Sequence, residues 1–223
     1  MELLQCDIRK VVSLLPPYMR QLMKEEPLIL AGGFIRACVA NETVTDADFF
    51  GHSTSFLESC VDTLHKKHGG KVHKTQNAFT YRMEKGCLPV QFITRWLYTN
   101  PEKLLKEFDF TVAKAAVWWD SDSGKFLSAC DSRFYPDLAA KRVVYTRPVR
   151  HEDAGGSLLR VRKFLSRGYQ IHIKDFAGVL ARLVQGLPDI KDWETYSGVN
   201  IEDSILKLLK EVDPWAFIGE EEE

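Results

Sequence analysis

The 223-residue chain is 45% hydrophobic and 27% charged, which excludes a disordered or fibrous protein and leaves room for one large domain or two small ones. Its formal net charge of −1 excludes a global basic field, so any contact with nucleic acid needs a local patch. The five cysteines (Cys6, Cys38, Cys60, Cys87, Cys130) are odd in number and form no C-x-x-C pair. That spacing argues against a disulfide framework and a structural zinc site. With no signal peptide and no apolar run near about 18 residues, the chain reads as cytoplasmic, with no membrane partner.

Residues 7–24 read as one helix broken at Pro16-Pro17, with Ile8, Val11, Val12 and Leu15 at helical spacing. Pro27 introduces a strand over 28–31. Gly32-Gly33, a short helix and a second strand reaching Phe50 follow. Gly51 ends that strand, and a helix over 54–67 buries Phe56, Leu57, Cys60, Val61 and Leu64. His65, His68 and His73 are read as solvated residues around a Lys-rich helix end, not as metal ligands. Strands are expected over 71–75, 78–84 and 89–95, then a short charged helix over 101–107. Residues 109–118 read as a helix that Asp109 could cap. Asp120 to Gly124 read as a solvated hairpin tip, and Trp118 and Trp119 as core. Past Pro148 helical signals dominate, over 153–167, 174–186 and 200–212. The last of these has Asn200 as its cap and Ile201, Ile205, Leu208, Leu209 and Val212 on one stripe. Residues 219–223 form a like-charge tail read as disordered.

The chemistry concentrates in residues 28–50. In a strand, positions two apart share a face, so Asp46 and Asp48 project together while Ala47 and Phe49 point the other way. Like charges side by side repel unless a cation neutralises them. An all-oxygen pair of this kind suits Mg²⁺ completed by water and substrate phosphates. Gly32 and Gly33, just before a helix start, let backbone N–H groups approach a phosphate where the helix dipole favours an anion. Arg36 could seat a triphosphate through its guanidinium fork or pair with a structural acid.

Gly32-Gly33, Arg36 and Asp46-x-Asp48 resemble the signature of the DNA polymerase β-like nucleotidyltransferase superfamily. The likeness is closer to the head and neck of bacterial-type (class II) CCA-adding enzymes and poly(A) polymerases. Residues 107–115 look like that family's R-R-D-F-T-I-N-A motif, matching at Asp109, Phe110 and Thr111. Cys130-Asp131, Asp137-Leu138 and 141–144 are similar to the segment joining head to neck, and Glu152-Asp153 with 159–169 to the neck helix. The resemblance thus runs in order over residues 27–175. It implies an α+β fold: a nucleotidyltransferase catalytic head over 1–147 with a bent mixed sheet of about five strands flanked by helices. A short all-helical neck over 148–218 would follow, with the active site in the cleft between the two.

The activity it implies is Mg²⁺-dependent transfer of a nucleoside monophosphate from an NTP such as ATP to a hydroxyl, most naturally at an RNA end. Asp46 and Asp48 would hold two Mg²⁺ ions. Gly32, Gly33 and Arg36 would seat the triphosphate, and Arg160 would contact the incoming nucleotide. Asp109 would be either a cap or a group near the ribose or the metals. The departures are specific. Ala37 replaces an Asp, Gln91 stands where a third carboxylate is expected, and Glu107 and Phe108 replace two arginines. The base-selecting pattern after Glu152-Asp153 is blurred. These changes admit a second reading, a nucleotide- or RNA-binding pseudoenzyme or regulatory partner.

Overall fold

The computed structural model describes residues 1–84, 86–148, 154–185, and 203, 205 and 206. The helix expected over 200–212 therefore falls mostly, and the Glu152-Asp153 pair and the acidic tail wholly, outside the described residues. The chain divides into two compact units, Met1–Ala139 and Ala140 onward.

The first unit is α+β, built on a seven-stranded sheet of order β3-β4-β5-β2-β1-β6-β7. It opens with α1 (Gln5–Leu14) and α2 (Pro17–Glu25), separated where Pro16 cannot continue the helix and Pro17 can start one. Strand β1 (Ile29–Ala31) is buried throughout, as a central strand requires. Then come α3 (Gly33–Ala40), β2 (Ala47–Phe50) and α4 (Thr54–His68), the last capped by the Ser53 side chain accepting from the Phe56 N–H. Strands β3 (Lys71–Lys74), β4 (Ala78–Arg82) and β5 (Val90–Ile93) form an antiparallel run. Helix α5 (Pro101–Lys106) starts at an Asn100 cap. Strands β6 (Ala115–Asp120) and β7 (Lys125–Cys130) and helix α6 (Phe134–Ala139) complete the unit. Among the described residues of this sheet, the β2–β5 pair is the parallel one.

Helices α1 to α4 pack against one face of this sheet, and α5 lies on the other over β6 and β7. Leu30, Phe49, Phe92, Val117 and Tyr81 lie on the first face and are essentially inaccessible. The Phe49 and Phe92 rings stack at 5.9 Å, and full burial of each contributes about 2–3 kcal/mol. On the second face Ile29, Ala31, Phe50 and Ala116 meet Leu104 and Leu105 of α5, with Trp96, Tyr98, Phe108 and Trp118 packed around them.

Three expectations are corrected. The sheet has seven strands instead of about five. The helix expected over 109–118 is a 3₁₀ turn (Thr111–Ala113) followed by β6, whose residues pair on both edges with β1 and β7. A continuous run such as Ala-Ala-Val-Trp-Trp has no period that separates helix from strand, and sheet pairing decides it. The second unit is not all helix. Strand β8 (Arg142–Val143) pairs in parallel with β9 (Gln170–Ile171), beside helices α7 (Ala154–Ser166) and α8 (Ile173–Gln185), which pack on each other. Its buried residues include Val143, Tyr145, Val161, Phe164, Tyr169, Val179 and Leu183. No described helix is long and apolar enough to cross a membrane.

Candidate active site

Sheet register brings the glycine turn and the acids to one place. Ala31, the last residue of β1, lies directly across from Asp48. Because the pair is antiparallel, the chain leaves β1 through Gly32-Gly33 at the same end where it enters β2 past Asp46. Gly32 has φ 88° and ψ −134°, a conformation open essentially to glycine alone. A Cβ there would also stand 3.0 Å from the Phe108 ring. At Gly33 an added Cβ would meet nothing within 4 Å, so that backbone faces open space. Gly32, the N-cap residue of α3, has no side chain to cap it, and the first N–H groups of a helix lack intrahelical acceptors.

Asp46 and Asp48 are half-buried while Ala47 and Phe49 between and beyond them are buried, the alternation of a strand with one covered face. Asp46 accepts from the Thr45 hydroxyl at 2.9 Å and from Gln91 Nε2 at 3.4 Å. Gln91 is the parallel neighbour of Asp48 in register. The residue standing where a third carboxylate was expected is thus an amide that donates to the first. Among the described residues no group of three or more His, Cys, Asp or Glu side chains is arranged to hold a metal. The donor set at this point is two carboxylates, and His65, His68 and His73 form no cluster with them.

Arg36 lies on α3 with 4% of its surface exposed, its Nε 3.2 Å from Glu42, an acid of the loop that follows the helix. In this arrangement the guanidinium ties α3 to the segment leading into β2. Asp109 is buried, just before the 3₁₀ turn. Arg160 lies half-buried on α7, in the second unit. Phe108 stands against Gly32 and meets the Phe50 ring edge-on at 6.1 Å. The position of a motif arginine is therefore filled by an apolar ring.

One buried acid carried no role in the sequence reading. Asp137 is fully inaccessible, accepts from the Thr111 hydroxyl at 2.6 Å, and pairs with Arg133 Nε and NH2 at 3.1 and 3.0 Å. The threonine of the D-F-T motif thus fastens α6 to the 3₁₀ turn. Arg133 four residues before Asp137, in the turn that leads into α6, was the available signal. Burial pushes the Cys38 thiol up to about 11 and that of Cys60 up to about 12, so both stay protonated near neutrality. A groove of about 490 Å³ opens elsewhere on the acid-bearing face, near α5 and lined by Lys106, Lys114, Trp118, Ala129 and Asp131. Ala129 and Asp48 lie three strands apart in register, roughly 14 Å at the usual strand spacing, so this groove is separate from the acids.

Among solved structures the chain is similar to the Thermotoga maritima CCA-adding enzyme complexed with tRNA, at 18% identity and a TM-score of 0.58, over 92% of this chain and 50% of that one. A CCA-adding enzyme with CTP matches at 17% identity and a TM-score of 0.57, over 88% and 49% of the two chains. A tRNA-processing enzyme with CTP matches at 20% and 0.54, over 85% and 54%. At these identities the likeness shows a nucleotidyltransferase-like fold, and the chain spans about half the length of the structures it matches. No curated protein matches the sequence. The sequence model of the Gabija anti-defense 2 (Gad2) family matches residues 7–141, which is most of the first unit together with the glycine turn, both acids and the 3₁₀ turn. The chain belongs to the Gabija anti-defense 2 family.

Proposed function

We propose that the chain is a metal-dependent nucleotidyltransferase that moves a nucleoside monophosphate from an NTP to a hydroxyl acceptor, an RNA end first among them. Its family name supplies the setting, an anti-defense role against Gabija. The observation that carries this reading is the register Ala31↔Asp48, which joins a helix start led by Gly32-Gly33 and two carboxylates at one end of a sheet. Solved neighbours that hold ATP or CTP support the choice of an NTP.

Two carboxylates form an oxygen-only donor set that fits Mg²⁺ completed by water and phosphate oxygens. Asp46 and Asp48 would hold the two ions that the family resemblance implies, with Gln91 adding no third charge. When bound, such ions neutralise phosphate charge and make a hydroxyl easier to deprotonate. The chain's own contribution is binding and orientation. Backbone N–H groups at Gly32 and Gly33 would donate to triphosphate oxygens, and Gln91 would fix the Asp46 carboxylate. Arg36 would act through Glu42, holding α3 at the angle that aims its first turn. Asp109, buried behind Phe108, would support that turn or the ribose side. In the transfer, the acceptor oxygen bonds to the α-phosphorus, the α–β phosphoanhydride breaks, pyrophosphate leaves, and the hydroxyl proton passes to water.

The test is incubation of the full chain with each α-labelled NTP and total cellular RNA, with Mg²⁺ or with EDTA. Label should move to an acceptor only with Mg²⁺. Asp46→Ala should abolish transfer at an unchanged melting temperature, and full activity in that variant overturns the assignment. The Gln91–Asp46 hydrogen bond favours a second reading, a nucleotide- or RNA-binding pseudoenzyme whose acid is already satisfied by an amide. That reading predicts a thermal shift with NTP and no pyrophosphate.

A further inference from the structure

Strand alternation and register place three basic side chains on the same sheet face as the acids. In one row across the sheet, Asp46 stands just before β2, followed by Pro89 before β5, then Arg82 on β4 and Lys71 on β3. In the next row Asp48 is followed by Gln91, Thr80 and His73. The residues between them, Tyr81, Val90 and Phe92, are buried on the opposite face. Lys74 also turns to that opposite face, where its Nζ meets Glu58 and Asp62 of α4. Lys71, His73 and Arg82 are exposed, and Thr80 and Gln91 half-buried. Helix α5 covers the far end of this face, over β6 and β7. Strands β3, β4 and β5 carry no carboxylate at all. At the usual strand spacing the acids lie about 10 Å from Arg82 and about 14 Å from Lys71 and His73.

We propose that this open β3–β4–β5 face is a binding platform for the phosphodiester backbone of a single nucleic-acid strand, whose end it leads to the Asp46–Asp48 pair. The occupant follows from charge. A chain with a net charge of −1 gathers exposed cations, with hydroxyl and amide donors between them, on one sheet face beside two acids. A strand tracking a positive strip meets it through phosphates, independent of sequence. The proposal rests on the nucleotidyl-transfer reading only for the direction in which the strand end points.

The experiment measures binding of fluorescent single-stranded RNA and DNA oligonucleotides to the full chain across a salt series. Lys71→Glu/Arg82→Glu should weaken binding roughly tenfold or more and lower the salt slope by about 1.4, two contacts at about 0.7 each. Lys71→Gln/Arg82→Gln should show the same slope change with a smaller loss, and Lys125→Glu at the opposite edge should change neither. Equal loss for RNA and DNA identifies the backbone alone as the ligand; loss for RNA only adds the 2′-hydroxyl. The platform is overturned if the double variants bind as the parent does or if neither strand binds. Asp46→Ala separates the two claims. It should lose transfer and keep strand binding, so retained transfer breaks the catalytic reading and unchanged binding by the platform variants breaks this one.

Discussion

Asp137 and the Asp46–Asp48 pair sit in the same unit and both belong to stretches that resemble motifs, yet their surroundings are opposite. Asp137 is wholly inaccessible and takes hydrogen bonds from the Thr111 hydroxyl and the Arg133 guanidinium. Asp46 is half-buried, and its partners among the described residues are a neutral hydroxyl and a neutral amide. Removing a charge from water is costly unless a cation and hydrogen bonds compensate it within the fold. At Asp137 the compensation is internal, so the acid fastens α6 to the 3₁₀ turn. At Asp46 no side-chain cation among the described residues provides it, and the partners it has are neutral.

The contrast can be broken at either end. Asp137→Ala should have the largest effect on stability, about 3 kcal/mol, because it strips a buried hydroxyl and a half-exposed arginine of their acceptor. Thermal unfolding should show a fall of roughly 10 °C; a fall below a couple of degrees would make Asp137 dispensable. Asp46→Asn should change stability by less than about 1 kcal/mol in either direction, since an amide there can still accept from Gln91. A large loss would mean Asp46 is a structural acid after all. Gln91→Asp should leave stability nearly unchanged when Mg²⁺ is present and lower it when EDTA removes the ion. Three carboxylates at one point repel until a cation joins them. An equal melting temperature in Mg²⁺ and EDTA would show that no ion binds there.

Much of this was legible before coordinates. The apolar run before Gly32, the two glycines and the alternation from Asp46 to Phe50 are local signals, and the strands and helix they suggest are present. The short helix after Asn100 and the break at Pro16-Pro17 were readable for the same reason. Strand β6 was not. Asp109 imitates a helix cap, and only pairing with β1 and β7 reveals the run after it as the strand beside the glycine turn. At Asp137 the spacing to Arg133 was a local hint, but the Thr111 bond was not legible because the two residues lie 26 apart in the chain. Arg36 lies 3.2 Å from Glu42, a partner that nothing in the local sequence pattern singled out. Phe108 is the residue whose consequence sequence reading could not reach. Its motif position suggested only a lost arginine, whereas its ring is what an added Cβ at Gly32 would strike.

The pairing of β1 has a consequence for how the protein is made. One neighbour, β2, follows shortly along the chain, but the other, β6, is supplied only after α4, β3, β4, β5 and α5. Until β6 emerges during synthesis, Ile29 and Leu30 border an open sheet edge that can template pairing with another chain. Closing so long a loop also slows the final step of assembly. Nascent chains stalled before β6 should therefore be the form most prone to aggregate.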